Sequence, residues 1–231
     1  MNIYFLVEGR RTEKKVYPKW LSHLLPTLTE VTDPFEIDSN NYYIFNGNGF
    51  PSLLDNHLVN AMSDVNEISK FDFFVICLDS DDASVSDRKE YVMNFIKKNK
   101  LKLNEKTEFV IIVQNKCIES WFLGNRRVYS KQPQSSDLRE YNSFYNVQEN
   151  NPELMTAMAG FNTSAQFHEA YLTEMLLEKN IRYSKKNPNS VVDAHYLEEL
   201  IRRNKDTNHL ISFKDFLDFC DTVKNKIAVN S

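Results

Sequence analysis

Acidic side chains follow two strongly apolar segments of this chain, each at the point where the segment ends. Glu8, next to Gly9, follows the apolar residues 2–7, and Asp79 and Asp81 follow a second apolar run, 71–78. Continuous apolar runs of this length are typical of strands buried on both faces of a parallel sheet. Ligands of open parallel sheets bind beyond the carboxyl ends of the strands. If the two strands are neighbours, we expect the three carboxylates to converge.

Three carboxylates at one place repel one another unless a cation compensates for their charge. Hard oxygen ligands suit Mg²⁺ or Mn²⁺, which often complete their coordination with substrate phosphate. On an extended backbone Asp79 and Asp81 point the same way, and Asp82 turns aside. The pattern therefore predicts metal-assisted phosphoryl transfer or hydrolysis. The alternative for each acid is the cap of a following helix.

Strand and helix signals alternate in the first half of the chain. Apolar, β-prone stretches at 2–7, 42–45, 71–78 and 108–113 are each followed by a helical pattern. Because parallel strands need crossover helices, this order predicts an α/β fold, a mainly parallel sheet flanked by helices, over residues 1–124. Residues 125–150 lack a clear period, which predicts a loop or insertion. Residues 151–231 predict a C-terminal helical region that packs on the sheet or forms a lid.

Bulk composition narrows the class of protein. The net charge of −4 gives no global positive field that would attract nucleic acid or an anionic membrane. Three cysteines in apolar patterns, without a C-x-x-C pair, predict reduced core residues and a cytoplasmic protein. No segment has the roughly 20 apolar residues of a membrane helix, and no basic, apolar leader begins the chain, so we expect no membrane association.

Other kinds of site are disfavoured by the motifs. The five histidines form no H-x-H or H-E-x-x-H arrangement, which argues against zinc. No G-x-x-x-x-G-K-[ST] phosphate loop occurs, so the chain carries no ATPase motif of its own. The aromatic residues Tyr141, Phe144 and Tyr145 either stack on unpaired bases or anchor their segment to the core.

The order of these features resembles the Toprim domain, which is found in topoisomerases, primases and OLD-family nucleases. A strand that ends in Glu8-Gly9, followed by a helix, a strand, a glycine-containing loop, a helix and a strand that ends in D-x-D, covers roughly residues 1–124. The opening Val7-Glu8-Gly9…Thr12-Glu13 and the E-x-W-x-L stretch Glu119–Leu123 are similar to small stand-alone Toprim proteins of bacterial phage defence, the OLD-like and RloB-like group. The resemblance implies a Rossmann-like catalytic domain.

Roles for individual residues follow from the resemblance. It implies that Glu8, Asp79 and Asp81 hold Mg²⁺ or Mn²⁺, and that Glu119 holds a second metal or orients water. Lys185, in a Tyr-Ser-Lys setting, would lie near the scissile phosphate. The alternatives stay open: Glu119 as a first-turn glutamate and Lys185 as a surface lysine.

Arg10 and Arg11 directly follow the glutamate. They either contact substrate phosphate or lie in a solvated turn.

The function that we expect is metal-dependent cleavage of DNA or RNA, in phage defence. The resemblance also implies a separate ATPase chain as a partner, because this chain lacks the phosphate loop. A homodimer is compatible with the aromatic helix faces, which packing within one chain would explain equally well.

Two other functions compete with this one. One is a phosphatase or phosphotransferase that uses Asp79 as a nucleophile. The other is a non-enzymatic, receiver-like regulatory module, for which Lys116, just past the strand at 108–113, supplies the required lysine.

Overall fold

The computed structural model describes residues 1–229 and contains a five-stranded parallel sheet. The strand order is β2-β3-β1-β4-β5, with β1 between β3 and β4. The strands are β1 (Asn2–Val7), β2 (Thr29–Val31), β3 (Asn41–Asn46), β4 (Phe73–Asp79) and β5 (Glu108–Gln114). The predicted α/β class with a parallel sheet is confirmed.

Helices connect the strands and make up the chain after β5. A π-helical stretch, Leu53–Leu58, runs directly into α2. In the described part of the chain the helices are α1 (Glu13–Leu24), α2 (Val59–Ile68), α3 (Val85–Lys98), α4 (Ile118–Phe122), α5 (Ser136–Phe144), α6 (Ser164–Leu177), α7 (Ala194–Thr207) and α8 (Ile211–Val229).

The chain divides into two compact units that are not continuous in sequence. The first unit contains Met1–Leu78, Ser86–Val113 and the residues from Asp215 onward. The second contains Asp79–Val85 and Gln114–Lys214. These bounds differ from the predicted division at residues 124 and 150. Composition along the chain does not show which distant segments pack together.

The core of the first unit lies on both faces of β1. Every residue of this strand is buried, as expected for the centre of a parallel sheet. Tyr4 points to the α2 side, where its hydroxyl donates to Asp64 at 3.4 Å. Phe5 points to the other face, against Tyr17 of α1 and Phe219 of α8. The alternation of side chains in a strand thus places helices on both faces of the sheet.

The last helix packs on the sheet, as the sequence predicted for the C-terminal helical region. Phe219 of α8 lies edge-on to Phe5 and to Phe73 of β4, with ring centroids 6.0 and 5.3 Å apart. Its apolar positions face the core because they recur at helical spacing.

Two elements were missed by the sequence patterns. Strand β2 has three residues, Thr29–Val31, and none of them is buried, so it has no apolar pattern to detect. The segment 125–150, predicted as a loop or insertion, contains the helix α5. Ser135 caps this helix by accepting from the backbone N–H of Leu138. Contacts with other elements, rather than a periodic apolar face, hold α5 in position.

The aromatic residues of α5 anchor this segment to α6. Tyr141 contacts Phe167 and Tyr171 of α6, and Phe144 also contacts Phe167. The hydroxyl of Tyr171 donates to Asn142 at 2.7 Å. Of the two roles considered for this cluster, the structure shows the anchoring one.

Within residues 1–229, no helix combines the length and the apolar character required to cross a membrane.

Candidate functional site

Glu8 lies directly after β1, at the end of the central strand of the first unit. Its backbone N–H donates to the carbonyl of Cys77 at 2.9 Å, which continues the pairing of β1 with β4 by one residue. Its carboxylate accepts from the backbone N–H of Phe50 at 3.2 Å. Glu8 is half-buried, so the loop that follows β3 fixes an acid that solvent still reaches.

Gly9 leaves room for the close approach of a second acid, Glu13. A Cβ atom at position 9 would lie 1.8 Å from a carboxylate oxygen of Glu13. Glu13 is 5% exposed, in the first turn of α1, and its charge contributes to raising the pKa of the Cys77 thiol after burial itself. Both acids therefore flank Gly9 at the end of β1.

The two arginines that follow Gly9 are exposed. Arg10 donates from Nε to the Asn48 side chain at 2.6 Å, in the loop after β3. Arg11 lies on the surface. The contact with Asn48 gives Arg10 a structural partner and leaves the expected phosphate contact a prediction.

The acids of the D-S-D-D stretch lie at the start of the second unit. Asp79 is the last residue of β4 and is half-buried. The loop after it is bonded to the loop after β5. Ser80 and Asp81 donate from their backbone N–H groups to the carbonyls of Gln114 and Lys116, each at 2.9 Å, and Lys116 returns a bond to the Ser80 hydroxyl at 2.9 Å.

The backbone at Asp81 departs from the extended geometry that the sequence argument assumed. Its φ is 52°, in the left-handed region that aspartate tolerates better than most residues. The rule that residues two apart share one face therefore ends at Asp79, where the strand ends. Asp82 does turn aside, and its carboxylate accepts from the hydroxyl and N–H of Ser164 at 2.7 and 3.3 Å. Asp82 thus holds the start of α6.

Glu119 is in the first turn of α4 and is 1% exposed. The hydroxyl of Tyr183 donates to its Oε1 atom at 2.9 Å. Burial raises the pKa of Tyr183, and Glu119 raises it further, so the phenol remains a donor at neutral pH. Glu119 is therefore a first-turn glutamate, but a buried one held by a long-range partner.

Lys185 extends from the turn at 184–187 toward two carboxylates. Its Nζ lies 3.8 Å from Oε1 of Glu119 and 3.2 Å from Oε2 of Glu169, on α6. Burial alone would lower the pKa of this lysine, but the two carboxylates outweigh it, so the pKa is raised and the ammonium persists. Since the side chain is 44% exposed, the cation also faces solvent.

Asp79 and Glu119, both in the second unit, lie within electrostatic range of the same buried thiol, Cys117. Burial raises the pKa of this thiol well above its ordinary value, and the charges of Glu119 and Asp79 raise it further. The charge of Lys185 lowers the pKa of the same thiol. The structure thus brings together three of the predicted site residues: Asp79, Glu119 and Lys185.

Oxygen ligands are what Mg²⁺ and Mn²⁺ prefer, and the predicted ligands are all carboxylates. Among residues 1–229 no group of three or more His, Cys, Asp or Glu side chains is arranged to hold a metal ion. The expected metal site therefore rests on ligand chemistry.

Three residues of this region were not identified from the sequence as site residues. Tyr183 lies in the same Tyr-Ser-Lys motif as Lys185, so its position was a usable signal. Glu13 lies in the quoted opening motif, with helical spacing to Gly9. Glu169 had no local signal, because only the packing of α6 places it near Lys185.

The arrangement in the second unit sets one ammonium among three carboxyl groups, a charge balance that a bound cation would compensate. A half-exposed ammonium faces solvent, and a half-buried aspartate and a buried glutamate lie close by. Comparison with protein-family models, curated proteins and solved structures finds no match to this chain.

Proposed function

We propose that this protein is a metal-dependent nuclease that cleaves phosphodiester bonds of DNA or RNA. In this proposal Glu8, Asp79 and Asp81 are the ligands for Mg²⁺ or Mn²⁺, and Glu119 and Lys185 complete the catalytic group. Arg10 and Arg11 contact the substrate backbone. The proposal extends, on the resemblance to Toprim proteins, to phage defence in the cytoplasm with a separate ATPase chain.

The contact between Lys185 and Glu119 is the observation that carries the proposal. These residues are far apart in sequence, yet Lys185 is held 3.8 Å from Glu119, in the region that contains Asp79. A solvated surface lysine needs no such partners. A persistent ammonium beside carboxylates is suited to a ligand that carries both phosphate and metal.

Each residue has a role that its environment supports. Lys185 keeps its proton because of Glu119 and Glu169, so it can stabilise charge on a phosphate oxygen. Tyr183 and Lys185 hold Glu119, and the role proposed for Glu119 is to orient a water molecule. A divalent ion at the carboxylates supplies charge neutralisation and an acidified water when bound.

The first test is cleavage of single-stranded DNA, double-stranded DNA and RNA with Mg²⁺, Mn²⁺ or EDTA. We expect metal-dependent cutting by the wild type and none by Glu8→Ala or Asp79→Ala. Lys185→Ala should slow cutting by about a hundredfold, the usual effect of losing one group that stabilises charge in the transition state. Lys186→Ala, at the next and exposed position, is the matched control, and Asp206→Ala controls for loss of a surface carboxylate.

If no substrate is cut, Mn²⁺ binding is measured by electron paramagnetic resonance, which distinguishes a partner-dependent nuclease from a failure of the proposal. If no substrate is cut but the wild type binds Mn²⁺ and both acid variants lose it, the nuclease depends on a partner. Absence of both cutting and Mn²⁺ binding would overturn the proposal.

A receiver-like phosphoacceptor is the second candidate, favoured by the position of Lys116. This residue follows β5, and its backbone is bonded to Ser80 and Asp81 in the acidic loop. Incubation with acetyl phosphate followed by mass spectrometry should detect a phosphoryl group on Asp79 if this candidate is correct. Labelling that Asp79→Asn abolishes would favour it, or the phosphatase alternative, over the nuclease.

A further inference from the structure

Three basic side chains that do not belong to the candidate site gather in the second unit. Arg203 of α7 is 2% exposed and donates to the carbonyls of Gly124 and Asn150 at 3.1 and 2.7 Å. It also donates to Nδ1 of His209 at 3.1 Å. Arg126, two residues beyond Gly124, is half-buried. We call Arg126, Arg203 and His209 the basic cluster.

The basic cluster has no carboxylate. Among the residues that the structure describes, no Asp or Glu lies within ion-pair distance of Arg126 or Arg203. The neighbouring arginines differ in this respect, because Arg127 and Arg202 both pair with Glu199, Arg127 at 2.7 Å. The sequence pairs Arg126-Arg127 and Arg202-Arg203 thus each contain one neutralised and one uncompensated guanidinium.

Two donor groups of the basic cluster also lack a hydrogen-bond partner. The Nε atoms of Arg126 and Arg203 are both buried without a hydrogen-bond partner within residues 1–229. The carbonyls around Arg203 satisfy its other nitrogens but do not neutralise its charge. Burial of a charge without a counterion is costly, and so is burial of an unsatisfied donor.

The electrostatics agree with this geometry. Burial lowers the pKa of Arg203 to about 10, and Arg126 lowers it further. Burial likewise lowers the pKa of His209, followed by Arg203 and then Arg126. The three groups therefore lie within Coulombic range of one another and repel.

We propose that the basic cluster is a binding site for a phosphate group. Guanidinium groups present paired N–H donors that match phosphate oxygens. A phosphate dianion would also compensate the positive charge of the two guanidinium groups, for which the cluster contains no carboxylate. A phosphate would also accept from the unsatisfied Nε groups. Arg126 and His209 are only partly buried, so the ligand reaches the cluster on their side.

The phosphate can belong to the end of a nucleic acid strand or to a free small ion. The proposal does not depend on the nuclease, because it uses none of the acids, and binding is measured without cleavage. Its failure and the failure of the proposed function are thus distinguishable.

The test uses the full chain with inorganic phosphate, in buffer matched for ionic strength with chloride. Binding is measured by titration calorimetry, and the pKa of the His209 ring by NMR, with the His209→Asn variant used to assign its signals. We expect saturable binding and a rise in the His209 pKa, because a bound anion offsets the two guanidinium charges. Arg126→Gln should weaken binding about tenfold, as expected for loss of a charge-assisted hydrogen bond.

Arg127→Gln is the matched control, because it removes a neighbouring charge that is already paired with Glu199. It should leave binding within about twofold of the wild type, the scale of a screened surface charge. Arg126 is chosen for substitution over Arg203, whose buried hydrogen bonds make loss of folding a concern.

Two oligonucleotides distinguish the sources of the phosphate, one with a 5′-phosphate and one with a 5′-hydroxyl. Tighter Arg126-dependent binding of the phosphorylated strand identifies a nucleic acid end, and binding of inorganic phosphate alone identifies a free ion. Either result supports the site. No saturable binding of any of these probes, or binding that Arg126→Gln and Arg127→Gln weaken equally, overturns it.

Discussion

At the scale of single residues, the second unit holds its buried polar side chains through partners that come from distant parts of the chain. Glu119 is the clearest case, since its partner Tyr183 is 64 positions away. Ser120, the next residue, lies 2.8 Å from Nδ1 of His168, whose Nε2 is 2.9 Å from the Met155 carbonyl. Because the carbonyl must accept, His168 carries its proton on Nε2 and Ser120 donates to Nδ1.

Replacement of Tyr183 by phenylalanine tests the bond to Glu119. The variant keeps the ring but removes the donor, which leaves beside Lys185 a carboxylate that is 1% exposed. We expect the free energy of unfolding to fall by about 1–3 kcal/mol, the cost of an unsatisfied buried group. Urea denaturation measures it, with Tyr91→Phe, at a ring that is 52% exposed, as the control. Equal stability of the two variants would contradict the prediction.

The buried histidine makes stability depend on pH. Burial lowers the pKa of His168 from 6.5 to about 4 in the folded protein. The unfolded chain then binds the proton more tightly, so this contribution to stability is complete above pH 6.5 and is lost as the pH falls toward about 4. We expect a loss of about 2 kcal/mol between pH 7 and pH 5 from this residue.

The histidine prediction is measured by chemical denaturation of the wild type and His168→Gln at both pH values. His168→Gln should lose this part of the pH dependence, and His195→Gln, whose ring is 89% exposed, should retain it. The same change in stability between pH 7 and pH 5 in all three proteins would exclude His168 as the source of the pH dependence.

At the scale of elements, the start of α8 is capped by a glutamate from a remote segment. Glu153 is 2% exposed and accepts from the N–H of Ser212 at 3.1 Å and of Phe213 at 3.4 Å, and from the Ser212 hydroxyl. Ser212 lies inside the first turn, and its hydroxyl oxygen accepts from Trp121 Nε1 at 2.7 Å. Burial raises the pKa of Glu153, while these hydrogen bonds oppose the rise.

Glu153→Ala should therefore destabilise the protein by about 2 kcal/mol, because first-turn N–H groups lose their acceptor in a buried place. Glu149→Ala, at an exposed position of the preceding turn, is the control. Hydrogen exchange of the Ser212 and Phe213 amides locates the effect. Unchanged protection of both amides would show that the carboxylate does not cap α8.

At the scale of the whole molecule, the chain passes between the two compact units four times, after residues 78, 85, 113 and 214. All four of these passages fall within regular elements, namely β4, α3, β5 and α8. A division of this kind leaves no simple linker at which one unit could be separated from the other.

The three thiols report whether the units unfold together. Cys77 and Cys220 belong to the first unit and Cys117 to the second, and each is at most 1% exposed. Burial raises the pKa of Cys77 to about 12 and raises that of the other two thiols as well. Since the thiolate is the reactive form, we expect no reaction with dithionitrobenzoate in the native protein.

All three thiols should become reactive over the same range of denaturant, because regular elements of the chain contain residues of both units. Mass spectrometry of partly labelled protein measures this. Modification of Cys117 at a lower denaturant concentration than Cys77 and Cys220 would instead show independent unfolding of the second unit.

The sequence by itself determined four of the five strands of the sheet. The runs at 2–7 and 71–78 contain buried strands, because a long, mainly apolar segment is buried on both faces, and the intervening helices make the strands parallel. That the two strands are neighbours is shown by the structure. Sequence also placed Glu8 and Asp79 at strand ends, since an acid cannot extend such a run. These inferences use only local order and period.

Only the tertiary structure decided which distant side chains meet. Lys185 joins Glu119 and Glu169, and Arg203 joins His209 and the Gly124 carbonyl, with no signal in local spacing. The division into two units and the position of the helix α5 were likewise decided only by the tertiary structure. The physical reason is that such contacts arise from the packing of whole elements, whereas composition and periodicity describe each segment's own preference alone.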